Sequence, residues 1–273
     1  MRLRAILLAT LVAVAAPLRA QNTPTYQTGV DAREYVVPLT PLLASGGPQQ
    51  SELRDIVARY TTDANALGRR WHVDWSPMRR ERMRQFYLGW QARLRELDFD
   101  RLGQQGRIDY ILLNHTLRHE LSLLDREEKF FAEAEPLVPF AKAVFDLMDA
   151  RRRMEPIDPP AAARTLVEIT KEVERVQRAV LAGLQQSDSS GGRRGGSGQA
   201  RDSARTGASR PGVDTAVKPI KTTKVIAHRS SQIVNELKTT LTQWYNFYSG
   251  YDPLFTWWAR DPYRRADSII TAY

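Results

Sequence analysis

The sequence predicts an all-α fold, a multi-helix array of long antiparallel helices with one disordered insertion. Apolar residues recur at the i, i+3, i+4 spacing of amphipathic helices through most of the chain. Ser-Pro and Asp-Pro pairs precede several of these stretches and favour a helix start, because a capping side chain and a proline both suit the first turn. The 273 residues, 42% of them hydrophobic, are enough to form a core.

The first 20 residues are typical of a secretory signal peptide. Arg2 and Arg4 supply the charged start, and the apolar run 5–16 is too short to span a membrane. We expect cleavage after Ala20. The mature protein is therefore predicted to be periplasmic or secreted, without a membrane anchor.

The composition excludes several classes of site. The chain has no Cys, which excludes disulfides, thiolate metal sites and a Cys nucleophile. The net charge of +9 comes partly from the leader and from the stretch 187–217. The other arginines alternate with acidic residues along helix faces, whereas nucleic-acid binding requires a concentrated basic face, so no nucleic-acid partner is expected.

The predicted organisation is an extended arm over residues 21–50, rich in Pro, Gly, Thr and Gln, followed by a helical domain over 51–273. The stretch 187–217 is small, polar and charged, and predicts a disordered insertion because it cannot bury enough apolar surface. The sequence stops inside an apolar-periodic helix, which indicates truncation at the C-terminus. The predicted helices cover about 51–70, 77–97, 106–132, 139–154 and 159–186, then run from Pro219 into Trp244 and from Pro262 onward.

Three of these helices have faces with two interpretations. The helix over 159–186 is either a short coiled coil or a helix packed within the domain. The second helix has an arginine-rich side, which is either solvated surface or the site of an acidic partner. Arg151, Arg152 and Arg153 end the fourth helix, where they either complement its dipole or bind a substrate carboxylate or another domain. The arginines of the second helix are Arg79, Arg80, Arg82, Arg84 and Arg93.

The third helix is broadly apolar and is predicted to be central. His115 and His119 share one of its faces, with Glu120 next along the chain. A metalloprotease helix needs Glu directly after the first His, and here that position is Thr116. Paired polar residues on a packed helix are therefore expected in place of a metal site.

The most informative stretch runs from Trp244 to Tyr263 and contains nine of the chain's 24 aromatic residues (six Trp, ten Tyr and eight Phe in all). So many rings cannot all face water, which favours an aromatic core onto which the other helices pack. Alternatively, some rings line a cleft. The candidate cleft-lining residues are Tyr251, Trp257 and Trp258.

Four runs together resemble the DUF885 family of bacterial proteins. They are WYNFY (244–248), YDPLFTWW (251–258), RIDYILLN (107–114) and DARRRME (149–155). The resemblance covers most of residues 30–273. It implies a mostly helical zinc metallopeptidase with an HExxH helix in its C-terminal half, a half that is not in this sequence.

Three functions follow as hypotheses. In the first, the chain is the N-terminal, cleft-forming half of an exported DUF885-like metallopeptidase that acts on peptides, with zinc expected in the missing half. In the second, it is a non-catalytic module that binds a peptide or small apolar ligand through its aromatic cluster. In the third, it is a structural protein that pairs through the helix 159–186. The sequence contains no HExxH, GxSxG, Walker or GxGxxG motif, so no catalytic or metal residue is assigned.

Overall fold

The computed structural model describes residues 31–45, 50–191 and 218–273, and the predicted all-α fold is confirmed. No strand occurs among these residues. The predicted signal peptide (1–20) lies outside the described residues, and so do residues 192–217, which make up most of the predicted insertion. The described ranges contain seven α-helices, which are α1 (Arg54–Arg70), α2 (Pro77–Leu94), α3 (Gln104–Ala134), α4 (Ala141–Arg152), α5 (Pro159–Gly191), α6 (Lys224–Ser249) and α7 (Pro253–Ala272).

The segment before α1, predicted as an extended arm, contains two short 3-10 helices, Ala32–Tyr35 and Thr40–Leu42. It lies against α2, where Arg93 donates hydrogen bonds to the carbonyl oxygens of Arg33 and Val36, both at 3.2 Å. The close approach requires a glycine. A Cβ atom at Gly89 of α2 would collide with the carbonyl oxygen of Ala32.

A first hydrophobic cluster forms where α1, α2 and the start of α3 pack under this segment. Trp90 is fully buried at its centre, and the rings of Tyr60 and Phe86 lie beside it. The other buried members come from all four segments of chain and include Val36, Leu39, Leu53, Ile56, Met83, Leu94, Leu113 and Leu117.

The arginine-rich side of α2 faces α3 rather than only solvent. Arg79 and Arg80 both lie within ion-pair distance of Glu127, at 3.2 and 3.4 Å. Arg84 binds Asp125 at 2.9 Å and Glu128 at 2.8 Å. Most of the carboxylates that these arginines bind thus belong to the neighbouring helix of the same chain, and Arg79 also binds Asp74 just before α2, at 3.4 Å.

Helix α3 has 31 residues and connects the two halves of the core. At about 1.5 Å per residue it is roughly 46 Å long. Leu113 and Leu117 belong to the first cluster, whereas Ala134 belongs to the second. The helix was predicted to be central, and it does reach both clusters, but Ile111 and Leu112 near its start are exposed.

The second, larger cluster is formed by the end of α3 with α4, α5, α6 and α7. The most extensive helix pair is α5 with α7. Ile169 and Val173 of α5 are buried in this cluster, together with Ala259 and Ala266 of α7. Packing within the chain therefore covers the apolar stripe of residues 159–186 as far as Ala179, whereas Leu181 and Leu184 near its end are exposed.

The start of the last helix differs from the prediction. Asp261-Pro262 was expected to begin it, but α7 begins at Pro253 and continues through Pro262. Asp252 caps it by accepting a hydrogen bond from the backbone N–H of Phe255 at 2.9 Å. Because Phe255 and Ala259 are buried in the second cluster, the first two turns of the helix are held in place despite the proline that follows.

We expect the substitution Gly89→Ala to lower the free energy of unfolding by about 1 to 3 kcal/mol, because the new methyl group must displace the backbone of the N-terminal segment. The matched control is Gly68→Ala, where a Cβ atom meets nothing within 4 Å. That substitution should stabilise α1 by up to about 1 kcal/mol. Urea unfolding measures both. Equal effects of the two substitutions would contradict the close approach at Gly89.

Candidate functional site

The candidate site lies at the turn between α6 and α7. This turn divides the aromatic stretch into one part on α6 and one part on α7. The turn is fixed by the cap at Asp252 and by Thr256, whose hydroxyl donates to the carbonyl oxygens of Ser249 at 3.3 Å and Asp252 at 2.9 Å. The first turn of α7 is thereby tied to the last turn of α6. The rings on both helices consequently have fixed relative positions.

Part of the stretch forms core, as predicted. Trp244, Tyr248 and Phe255 are buried, and the rings of Trp244 and Phe255 meet edge to face with centroids 5.3 Å apart. Tyr245 stacks flat on Tyr263 at 3.8 Å. Burial raises the pKa of the Tyr248 hydroxyl above its ordinary value. These rings fix the pairing of α6 with α7.

The other rings face solvent. Tyr251 is 62% exposed, Trp257 is 73% exposed and Trp258 is 40% exposed. Tyr251 and Trp257 line an open groove of about 720 Å³ beside the turn. Trp258 contacts the ring of Trp257 edge to face at 5.0 Å but is not part of the groove lining. The structure therefore brings two of the three candidate cleft-lining residues together and leaves the third beside them.

The groove also contains charged groups of both signs. Arg260 and Arg264 are one turn apart on α7, and Asp252 and Asp261 complete the charged lining. Gly250 and Pro253 of the turn also line it. We call this surface the aromatic groove. It offers apolar faces for side chains and charged groups for a polar backbone or chain end.

The histidine pair on α3 is not part of any such group. His115 and His119 are exposed, and Glu120 accepts a hydrogen bond from the hydroxyl of Tyr87 at 3.3 Å. In the described part of the chain, no three His, Cys, Asp or Glu residues lie close enough together to hold a metal ion.

A basic pocket of about 280 Å³ was anticipated only in part, because carboxylate binding was one interpretation of Arg151 and Arg152 but the sequence did not indicate a pocket shared with Arg69 and Arg70. Its arginines are Arg69 and Arg70 at the end of α1, and Arg151 and Arg152 at the end of α4. The signal available in the sequence was that both helices end in consecutive arginines. Only the packing shows that the two ends meet, beside Phe247 of α6.

A second cavity, of about 470 Å³, lies between α2 and α4 and was also missed. Met78, Phe131 and Phe145 line it, and so does Asp149. Burial raises the pKa of the Asp149 carboxyl, although the guanidinium group of Arg152, bound at 2.7 Å, opposes the shift. This ion pair separates the apolar cavity from the basic pocket.

Comparisons with protein-family models, with curated proteins and with solved structures find no match for this chain. None of the helices in the described ranges combines the length and the apolar character that a membrane span needs. The site is thus known from its geometry alone: an open groove with two exposed aromatic rings, next to a pocket with four arginines.

The two halves of the aromatic stretch should differ sharply in their contribution to stability. We expect Trp244→Ala to lower the free energy of unfolding by about 3 to 5 kcal/mol, because it leaves a large cavity. Trp257→Ala should change it by no more than about 0.5 kcal/mol, since most of the ring is already in water. Urea unfolding of both variants measures the difference. A loss at Trp257 as large as that at Trp244 would show that this ring belongs to the core.

Proposed function

We propose that this chain is the peptide-binding, cleft-forming half of an exported DUF885-like zinc metallopeptidase. The observation that carries the proposal is that Tyr251 and Trp257 are exposed on one groove, next to Arg260 and Arg264. Large exposed rings gathered at one place are typical of binding sites, because a lone soluble domain has no folding reason to keep them in water.

A peptide suits the chemistry of the groove. The faces of Tyr251 and Trp257 gain free energy when apolar side chains displace water from them. The charged groups of Arg260, Arg264 and Asp261 can bind the carbonyl oxygens, N–H groups or charged ends of a peptide. A purely apolar ligand would leave these charges unused.

The resemblance to DUF885 supports the remainder of the proposal. It places the HExxH helix and its zinc outside residues 1–273, where the metal would activate the water that attacks the peptide bond. The described residues take no step in that reaction. Their part is to hold the peptide in position.

A second candidate function uses the same groove without any catalysis. The chain would then be an exported module that binds a peptide or small apolar ligand, and it would need no further domain. The exposed rings of Tyr251 and Trp257 favour this binding function as well.

Peptide binding should depend on the groove rings. In a titration of the chain with short peptides rich in aromatic and aliphatic residues, we expect saturable quenching of tryptophan fluorescence. Trp257→Ala and Tyr251→Ala should each weaken binding about tenfold or more, as removal of a central aromatic contact commonly does.

The matched control for these variants is Trp258→Ala, because Trp258 is an exposed neighbour that does not line the groove. It should bind within about twofold of the parent chain. Binding unaffected by the loss of Trp257 and Tyr251, or absent altogether, would refute a peptide-binding groove.

Peptide hydrolysis separates the two candidate functions. We expect the native exported protein, purified from its source, to cleave peptides and to lose that activity when a metal chelator is added. A chain of residues 21–273 should bind the same peptides without cleaving them. The intact mass of the native protein is measured first. A mass equal to that of residues 21–273, or cleavage by that chain alone, would reject the metallopeptidase-half proposal.

A further inference from the structure

The basic pocket has an unusual balance of charge. Four arginines and His72 line it, and no Asp or Glu is among its lining residues. Arg152 is bound to Asp149 at 2.7 Å, and both side chains are nearly buried. In the described part of the chain, no carboxylate lies within ion-pair distance of Arg69, Arg70 or Arg151.

The helix ends explain how so many cations can share one pocket. Arg69 and Arg70 are the last residues of α1, and Arg151 and Arg152 are the last residues of α4. The negative end of a helix dipole stabilises a nearby cation. The dipole is equivalent to about half a negative charge at the C-terminal end of each helix. It therefore offsets only part of the positive charge, and the pocket still attracts anions.

Aromatic rings hold two of the guanidinium groups in fixed orientations. The Arg151 guanidinium lies 4.0 Å from the centroid of the Phe247 ring, and that of Arg152 lies 4.2 Å from the Trp71 ring. Stacking of this kind occupies the face of a guanidinium group, whereas carboxylates bind to the N–H groups at its edge. A stacked arginine is thus already oriented for a forked pair of hydrogen bonds to a carboxylate.

The basic pocket and the aromatic groove are neighbours. Phe247 lines the pocket, Tyr251 lines the groove, and their rings meet edge to face with centroids 5.4 Å apart. Both rings are exposed. A ligand that passes over this pair of rings can therefore occupy both sites at once.

We propose that the basic pocket binds a carboxylate of the peptide whose apolar side chains occupy the aromatic groove. This inference rests on the proposed peptide binding and adds a preference for the ligand's charge. The carboxylate can belong to the free C-terminus or to an acidic side chain. Arg69, Arg70 and Arg151 are the residues that would bind it, while Arg152 is held by Asp149 and supports the pocket wall.

The test uses three fluorescently labelled peptides of one apolar core sequence. The first has a free C-terminus, the second is amidated, and the third is amidated and carries one Glu in place of its last apolar residue. We expect the first or the third to bind about tenfold more tightly than the second, as charge-assisted hydrogen bonds commonly contribute. Whichever of the two binds more tightly identifies the source of the carboxylate.

The preference should depend on the pocket arginines. Arg69→Gln with Arg151→Gln is expected to reduce the difference between charged and amidated peptides to less than about twofold. Binding of the amidated peptide should be unchanged, because the groove is intact. The single variant Arg69→Gln changes an exposed side chain and should lose part of the preference for charged peptides. It replaces the double variant in the test if the double variant unfolds more easily. The control variant, Arg95→Gln with Arg164→Gln, makes the same change of net charge at exposed positions outside both sites.

The outcomes separate the inference from the proposed function. If all three peptides bind equally, or if the arginine variants keep the preference, the inference is overturned while peptide binding in the groove stands. If no peptide binds but inorganic phosphate does so in an Arg69-dependent way, the pocket is a general anion site, and both proposals fail. A preference lost only in the Arg69 and Arg151 variants supports the inference.

Discussion

The structure depends on the fact that a helix can turn only one face toward a core. In α6 and α7 the residues at helical spacing, Trp244, Tyr248, Phe255 and Ala259, form that face and are buried. Rings at the intervening positions must then point outward. The density of aromatic residues in this stretch is therefore more than the core can accommodate, and the excess forms the aromatic groove.

The same packing determines where the charges lie. Helix α5 covers α7, and α4 packs on α6, so the end of α4 comes to rest beside the end of α6. Each arginine at the C-terminal end of a helix interacts favourably with that helix's dipole. Because the ends of α1 and α4 are close together in the fold, their arginines line the same pocket. On α2 the arginines meet carboxylates of α3 instead, as at Arg84. Similar sequence patterns thus give an ion-pair network on α2 and a pocket with an excess of positive charge at the ends of α1 and α4.

Local signals predicted most helix positions. Helices α2 and α5 begin at Pro77 and Pro159 as expected, because first-turn preferences depend on neighbouring residues alone. Asp158 caps α5 by accepting a hydrogen bond from the backbone N–H of Ala161 at 3.1 Å, but the predicted cap at Ser76 makes no such bond. The same signal failed at Asp261-Pro262, where burial of the preceding turn outweighed the proline. The exposure of Ile111 was also not predictable, since an apolar residue on a helix does not reveal which face another helix covers.

The sequence by itself determined the all-α class, the approximate helix boundaries and the aromatic stretch that contains the groove rings. These depend on periodicity and on capping, which act over a few residues. Tertiary structure alone decided that Tyr251 and Trp257 share a groove while Trp258 stands beside it, and that Arg69 meets Arg151. Such meetings depend on how distant helices pack, and that packing is set by the burial of whole faces rather than by any short motif.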